Sequence, residues 1–493
     1  MIEKFKFFIY GHIDSILVSI VYIFIYLYSI THIPELVIPP HGTDPFCFDI
    51  ITDIISKQGI MLKLFPTYFF SPLDAYFLLI IKYFANNVVY FFRLVIFIQM
   101  CFFLISAIYL RKTLEILFPG FIARLGFYLL CVYPPIIFQS MTPVKDIIAL
   151  SSLILSIYNI IAFNTDGKIG RIVITGFFLS IAMNMRSTLF FLIPTFVIFI
   201  YQRKNLKHIL IFLISSMIFI LPFSLRNLIV GKEFCLLSSV AGIHLYIGNH
   251  SNALGVYTFV RGVRPSTFGH YFDTKRVAES ELRKKLTDSA VNKYWKDKAW
   301  DYISKNPISA LKLYIKKLIF VSNVEEISNN YGLDYFRSNY LPFKLMNYPF
   351  SFGILFVLGI LGFRFSKIKY KWFFASNFLI IFFLSAIIFV TSRYRLPLVI
   401  FLMIGTCGFI KSVIKKEIIL SAKHLFPALI LTMITYYPVF KIKNKFYQNS
   451  EKKHFYSAGI YAKYKIMDRM EFNRYYTRLK KDYLRKFKAE NLM

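Results

Sequence analysis

The chain contains few cysteines and few acidic residues. Its 493 residues include 26 Asp and Glu against 59 Lys and Arg, which gives a net charge of +33. The five cysteines form no CxxC pair, and the nine histidines form no HxxxH or HExxH pattern. These absences exclude the common zinc motifs and a thioredoxin-like redox motif. Cys47 and Cys235 fall in predicted exterior loops, but their spacing alone does not establish a disulfide.

The chain is too apolar for an ordinary soluble protein. The chain is 57% hydrophobic, its mean hydropathy is +0.55, and apolar blocks recur along it. Since a helix needs roughly 20 mostly apolar residues to cross a membrane, the sequence predicts an all-α polytopic membrane protein with about 11 transmembrane helices. The predicted spans are 13–33, 87–110, 121–138, 144–163, 170–184, 187–201, 207–225, 346–364, 371–390, 395–411 and 419–438.

Basic residues in the short loops set the predicted topology. The stretch 170–201 is too long for one span, and Asn184-Met185-Arg186-Ser187 interrupts it, so a tight hairpin is predicted there. With that hairpin, the basic clusters of the short loops all lie on the cytoplasmic side. The positive charge therefore indicates membrane topology rather than nucleic-acid binding. The first span is predicted to be a retained signal anchor.

The predicted organisation has four parts. They are an N-terminal transmembrane module over 1–225 with its first exterior loop at 34–86, an exterior insertion over 226–345, C-terminal transmembrane helices over 346–438, and a basic helical tail over 439–493. The insertion is predicted to be mixed and mainly helical. Its segments are a loop or short strand over 231–275, an amphipathic helix over 278–304, and a helix that Asn306-Pro307 opens and that ends near Phe320. In the tail, 456–487 is typical of a helical hairpin.

Asp44 lies in the segment His41-Gly42-Thr43-Asp44-Pro45, directly after the first span, and Asp49 and Asp53 follow. Acidic residues beside a membrane in so basic a chain indicate a site that handles protons or cations. An Asp before a Pro is equally typical of a helix start, here a juxtamembrane helix over 45–57. Both interpretations are compatible, because a helix end also fixes a carboxylate at the membrane surface.

Other charged residues are predicted at the same membrane face, although separate spans carry them. They are Lys145, Asp146, Arg186, Arg226, Arg393 and Arg395. Ionisable residues gathered at one depth usually indicate a site. Positive charge is disfavoured on the exterior side, so Arg393 and Arg395 indicate either contact with lipid headgroups or a phosphate clamp. Lys145 and Asp146 could also form a self-neutralising pair.

With these residues in order, residues 1–411 resemble the C-type glycosyltransferases of membranes. The resemblance is to the bacterial branch that includes aminoarabinose transferases and relatives of protein O-mannosyltransferases. The ordered elements are Thr43-Asp44, Ser71-Pro72-Leu73-Asp74-Ala75-Tyr76, Pro143-Val144-Lys145-Asp146, Gly176 through Ser187, Leu221-Pro222 through Asn227, Gly242 through Asn249, and Arg393-Tyr394-Arg395-Leu396-Pro397. Each element alone is unspecific, and none indicates the sugar.

The resemblance implies a multi-span enzyme that uses a polyprenyl-phosphate-linked sugar, with Asp44 as the catalytic base. Many relatives carry a second acid after that Asp, where this chain has Pro45, and Asp49 stays a rival base. The implied donor-phosphate ligands are Arg393, Arg395, Arg226 and Arg186, and further site candidates are Lys145, Asp146 and Tyr76. No cofactor is predicted with certainty, and a divalent metal stays open.

The resemblance also implies a location and partners. We expect a bacterial plasma (inner) membrane protein whose site faces the periplasm. The expected partners are a polyprenyl-phosphate sugar, a lipid, glycan or protein acceptor of the cell envelope, and membrane lipids, with no nucleic acid. Two alternatives stay open: an envelope glycan polymerase or ligase, and a flippase or transporter of lipid-linked sugars. The sequence shows no internal repeat between its two halves, which argues against a transporter.

Overall fold

The computed structural model describes residues 2–202, 205–346, 351–418, 421–438 and 440–489. Within these ranges the chain is helical with turns and loops, and no β-strand forms. An isolated parallel bridge joins Val256 and Val390. The all-α class predicted from the apolar blocks is therefore confirmed for the described part of the chain.

The N-terminal half consists of helices joined by short turns, and the loop 34–86 is partly helical. Its α-helices are Ile2–His32, Pro34–Val37, Asp44–Gln58, Pro72–Tyr83, Val88–Leu117, Gly120–Cys131, Pro134–Ser140, Asp146–Asp166, Ile169–Met185, Ile193–Tyr201, Leu206–Ser216 and Leu221–Gly231. A 3₁₀ turn, Ser187–Leu192, follows the break at Arg186. That break lies within the interruption that the sequence predicted.

The C-terminal half begins with the insertion. The insertion contains Ala241–Gly248, Thr274–Leu282, Asp288–Lys305, Pro307–Ser322, Leu333–Asn339 and Leu341–Lys344, with a π-helical turn at Gly269–Asp273. The following apolar helices are Phe352–Phe365, Lys371–Ser385, Leu398–Ile414 and Ala422–Thr435, with a 3₁₀ turn at Ser392–Arg395. The tail forms the helices Phe440–Ile466 and Arg469–Ala489.

The apolar helices indicate a membrane protein, but the predicted count of about 11 spans is not confirmed. In the described residues, three helical segments are long and apolar enough to cross a membrane: Ile13–His32, Val88–Leu117 and Asp146–Asp166. Two bent helix pairs raise the number to five, if each pair is one span. The remaining predicted spans correspond to apolar helices of 10–17 residues. Since 17 residues give about 26 Å of helix, these are shorter than the roughly 30 Å hydrocarbon core.

Two predictions for the insertion need correction. The stretch 231–275, predicted to be loop or short strand, contains the helix Ala241–Gly248. Gly242 allows that helix to pack closely, because a Cβ there would overlap the backbone carbonyl of Asn292. The predicted helix over 278–304 is two helices, because Arg283 adopts a left-handed conformation with φ of 53°. The predicted start at Asn306-Pro307 is confirmed by the helix Pro307–Ser322.

Three apolar clusters hold the described chain together. The largest surrounds Asp146–Asp166, of whose apolar stretch 94% is buried. The second joins the loop 34–86 to the tail and includes Cys47, whose thiol is free, as is that of Cys235. The third lies inside the insertion around Trp295. Polar residues from all three regions meet in one cavity.

Candidate active site

A cavity of about 500 Å³ lies where the loop 34–86, the insertion 226–345 and the C-terminal helices meet. Its wall combines charged groups with neutral polar and aromatic ones. The polar and charged lining residues include Asp44, Lys145, Asp146, Arg186, His244, Tyr257, His270, Asn330, Arg393, Tyr394, Lys452 and Lys453. Its size is within the usual range for a small-molecule or cofactor site.

Asp44 is placed by the start of its helix. The helix begins at Asp44 and Pro45, and Thr43 occupies the N-cap position without a side-chain capping bond. The Asp44 carboxylate instead accepts hydrogen bonds from distant parts of the chain. Thr267 Oγ1 lies 2.9 Å from Oδ1, and Asn330 Nδ2 lies 2.8 Å from Oδ2. The predicted helix exists, and the carboxylate faces the cavity.

Arg393 joins two carboxylates. Its Nη1 atom lies 2.8 Å from Asp44 Oδ2 and 3.6 Å from Asp146 Oδ2. Asp146 also pairs with Arg186, whose guanidinium lies 4.7 Å from the centre of the Tyr394 ring. The ion pairs of Asp146 are thus with these two arginines rather than with its neighbour in sequence. The result is a compact network of two acids and two arginines.

The network sets the ionisation of Asp44. Burial would raise the pKa of this carboxyl, but the charge and hydrogen bond of Arg393 and the amide of Asn330 hold it well below its ordinary value. Asp44 is therefore ionised at neutral pH. While Arg393 stays paired with it, the carboxylate is a weak base, because a low pKa means a weak attraction for protons.

Lys145 adds positive charge beside the network. It ends the turn that precedes Asp146–Asp166, and its Nζ atom lies 5.3 Å from the centre of the Phe48 ring. Asp44, Lys145, Asp146, Arg186 and Arg393 thus all line one cavity, as the sequence predicted for its exterior face.

Four other predicted site residues lie outside that cavity. Arg226 donates to the carbonyls of Leu62 at 2.7 Å and Pro66 at 2.8 Å, and its guanidinium lies 4.1 Å from the Tyr68 ring centre. These hydrogen bonds fix the backbone conformation of the loop 59–67. Tyr76 contacts that same loop through the carbonyl of Ile60. Neither side chain faces the cavity.

Asp49 and Arg395 are likewise engaged elsewhere. Asp49 is fully buried and pairs with Lys82 and with Lys480, the latter at 3.0 Å. Arg395 pairs with Glu326 at 2.7 Å and donates to the Glu325 carbonyl at 2.9 Å. Both residues join separate segments of the chain, and the structure does not bring them to the cavity.

Arg395→Met is expected to lower stability rather than to change donor binding. Removing one partner of a buried ion pair leaves the other charge unpaired, which typically costs about 3–5 kcal/mol. We expect a lower unfolding temperature in detergent, partly restored in the double variant Arg395→Met/Glu326→Gln. A folded single variant with an unchanged unfolding temperature and weakened donor binding would contradict this assignment.

Sequence reasoning missed a group of neutral polar residues on the same wall. The Tyr257 hydroxyl lies 2.8 Å from His270 Nε2, and the His244 and His270 ring centres are 5.5 Å apart. Burial lowers the pKa of His244 to about 3 and that of His270 to about 4. Both rings are therefore uncharged at neutral pH and can exchange hydrogen bonds with hydroxyl groups. His244 lies in the Gly242–Asn249 element of the resemblance, but no sequence signal distinguishes His270.

The two carboxylates of the cavity, Asp44 and Asp146, are paired with arginine. Among the described residues, no group of three or more His, Cys, Asp and Glu side chains is placed to bind one. Asp44 and Asp146 could each offer a carboxylate to a divalent cation. Both carboxylates instead contact Arg393, whose guanidinium supplies the positive charge between them.

Comparison with known proteins gives structural neighbours alone. No family model matches the sequence, and no curated protein matches it. Solved structures of an oligosaccharyltransferase from Archaeoglobus fulgidus are similar over most of this chain. The apo form gives a TM-score of 0.44 at 11% identity, covering 89% of this chain and 56% of that one.

Two further structures of that enzyme give similar values. The form tethered with an acceptor peptide containing the NVT sequon gives a TM-score of 0.42 at 12% identity, covering 89% of this chain and 55% of that chain. AglB in complex with an inhibitory peptide and a dolichol-phosphate gives 0.38 at 11% identity, covering 90% and 56%. This chain spans little more than half the length of these structures.

Proposed function

We propose that the protein is a membrane glycosyltransferase that transfers a sugar from a polyprenyl-phosphate donor to a hydroxyl-bearing acceptor. One observation carries the proposal: an ionised aspartate and two arginines share one cavity beside apolar helices. Arginine is suited to phosphate, because its planar fork can donate two hydrogen bonds at once. In a displacement at an anomeric carbon, a carboxylate in this position can accept the proton of the attacking hydroxyl, and the arginines can stabilise the leaving phosphate.

Arg393 would exchange partners during the reaction. In the free protein it contacts Asp44 at 2.8 Å. An arriving phosphate would compete for this guanidinium, and its loss from Asp44 would raise the pKa of the carboxyl. The base would thus become stronger when the donor is in place. Arg186 and Lys145 would add positive charge where the leaving phosphate forms.

The chemistry is a single displacement. Asp44 accepts the proton of the acceptor hydroxyl as that oxygen bonds to the anomeric carbon. The bond between the anomeric carbon and the phosphate oxygen breaks, and its electron pair leaves with the polyprenyl phosphate. The anomeric centre is inverted, and the proton on Asp44 passes to solvent afterwards.

The neutral polar residues of the cavity wall would orient the uncharged parts of the substrates. His244, His270 and Tyr257 can exchange hydrogen bonds with sugar or acceptor hydroxyls without disturbing the charge balance at Asp44. Phe259 and Phe389 line the cavity beside them and offer apolar faces. The acceptor could be an envelope lipid, glycan or protein, with the site at the periplasmic face of a bacterial inner membrane.

Release of polyprenyl phosphate by the purified protein tests this proposal. The protein in detergent is given a panel of polyprenyl-phosphate sugars, with a crude envelope extract as acceptor. We expect at least one donor to release its lipid phosphate in an extract-dependent way. Movement of an intact labelled lipid-linked sugar across proteoliposomes, without cleavage, would show a transporter instead. Extension of a lipid-linked glycan chain by whole repeats would show a polymerase.

A further inference from the structure

The tail packs as a helical hairpin against the first exterior loop. Ile460, Phe472 and Tyr476 are buried in the same apolar cluster as Phe46 of the loop helix. The rings of Phe46 and Tyr476 meet edge to face, with centres 6.4 Å apart. The hairpin is therefore a packed part of the fold rather than a loose extension.

Buried ion pairs fasten the second hairpin helix to the loop. Lys480 contacts Asp49 at 3.0 Å and also pairs with Asp53. Lys82 contacts the same two acids from the side of the loop. A buried acid needs such partners, because an isolated buried charge is strongly unfavourable. Asp49 thus serves to hold the tail in place.

The first hairpin helix brings Lys453 to the cavity wall. Its Nζ atom donates to the backbone carbonyls of Asn329 at 3.0 Å and Asn330 at 2.6 Å. The Asn330 side chain donates to Asp44 at 2.8 Å. Two successive contacts therefore connect an ammonium group of the tail to the carboxylate proposed as the base.

We propose that the C-terminal hairpin is part of the active site and that Lys453 is a positioning residue for Asp44, acting through Asn330. This inference rests on the proposed function for its kinetic consequences alone. The lysine fixes the backbone of the 329–330 segment, and that backbone fixes the amide that holds the carboxylate. Because Lys480 fastens the hairpin independently, removing the Lys453 ammonium leaves the tail docked.

The charged and titratable groups facing Lys453 are few. Glu35 is 1% exposed, and burial raises the pKa of its carboxyl to about 8 against the lowering effect of the nearby Lys453 charge. His454 Nδ1 lies 3.9 Å from Glu35 Oε1. Asp44 and Arg393 also act on the lysine. A test must therefore follow Asp44 separately from Glu35.

Modification by a hydrophobic carbodiimide, read residue by residue by mass spectrometry, provides that separation. The reagent attacks protonated carboxyl groups, and no donor or turnover is needed. In the wild type, Asp44 is expected to stay unmodified above about pH 4, since its pKa lies below the ordinary value near 3.9. In Lys453→Met, modification of Asp44 is expected to appear at higher pH than in the wild type. Lys463→Met, an exposed lysine of the same helix, is the matched control.

Kinetics and a double variant complete the test. Misplacing a catalytic group can lower turnover by about 10- to 100-fold, so we expect such a fall in kcat for Lys453→Met, with the KM for the sugar donor nearly unchanged. Lys453→Arg keeps N–H groups that can bond the two carbonyls, so it is expected to restore most of the lost kcat. If Lys453 acts through Asn330, the effects of Lys453→Met and Asn330→Ala on Asp44 modification and on kcat should be non-additive in the double variant. If Lys453 acts on Asp44 by its charge alone, the two effects should add.

The outcomes separate this inference from the proposed function. If Lys453→Met is folded and neither Asp44 modification nor kcat changes, or if the two variants are additive, the inference is wrong. If no donor is turned over but Lys453→Met and Asn330→Ala shift Asp44 modification non-additively, the positioning role stands and the proposed function fails. Should Lys453→Met not fold, Lys453→Gln answers the same question with a neutral hydrogen-bond donor.

Discussion

Asp44→Asn is expected to lower kcat by about 10³-fold, within the range that general-base catalysis typically provides. Asparagine keeps the size of the side chain and can still hydrogen-bond Thr267, but it cannot accept the acceptor's proton. Donor KM is expected to change less than kcat, because Arg186 and Arg393 remain. The measurement is release of labelled polyprenyl phosphate under single-turnover conditions.

The matched control is Asp49→Asn. Asp49 is buried against Lys82 and Lys480, so its loss is expected to lower stability more than turnover. A folded Asp44→Asn protein with near-normal turnover would contradict the assignment of the base. Loss of turnover in a stable Asp49→Asn protein would move that role to Asp49.

The pH dependence of the wild type follows from the exchange of partners by Arg393. In the free enzyme the pKa of Asp44 is lowered, so its carboxylate stays ionised as the pH falls. Protonation of Asp44 should therefore lower kcat/KM only slightly above about pH 5. In the donor complex, Arg393 turns to the phosphate and that lowering effect weakens. The acid limb of kcat is therefore expected at higher pH than that of kcat/KM.

Arg393→Ala is expected to have the second large effect. Losing one charged donor to a developing anion typically costs about 10²- to 10³-fold in kcat. Here the substitution also leaves Asp44 and Asp146 without the cation that joins them. We expect weaker binding of polyprenyl phosphate, measured by displacement of a labelled lipid phosphate, together with a raised pKa of Asp44.

Lysine provides the control at this position. Arg393→Lys keeps the charge but not the planar fork, so it is expected to keep the ionisation of Asp44 better than turnover. Full recovery of kcat by lysine would show that a point charge suffices and would contradict two-point binding of the phosphate. Unchanged lipid-phosphate affinity in Arg393→Ala would place the phosphate elsewhere.

Hydropathy and charge predicted the features that depend on residues close together in the sequence. Apolar blocks became helices, the break near Arg186 is present, and Pro45 and Pro307 lie at helix starts as expected. The predicted span count is not confirmed, because helices below about 20 residues do not show by length alone whether they cross a membrane. The stretch 231–275 was predicted to be loop or short strand because it is rich in glycine. Gly242 instead allows close packing of the helix Ala241–Gly248.

The site was predictable where charged residues stood out beside predicted spans. Arg393 and Arg395 look equivalent in sequence, yet they lie on the 3₁₀ segment Ser392–Arg395. A 3₁₀ helix has about three residues per turn, so side chains two positions apart point in different directions. One contacts Asp44 and the other Glu326. Asn330, His270 and Lys453 reach the cavity through contacts between segments far apart in sequence, and no local pattern signals such contacts.

A cryo-electron microscopy structure of the Asp44→Asn variant with a polyprenyl-phosphate sugar tests the central claim most directly, because slow turnover preserves the donor. We predict the phosphate within hydrogen-bonding distance of the Arg393 and Arg186 guanidiniums, with the anomeric carbon facing the side chain at position 44. A lipid phosphate bound outside this cavity, with Arg393 still paired to Asp146, would contradict the account.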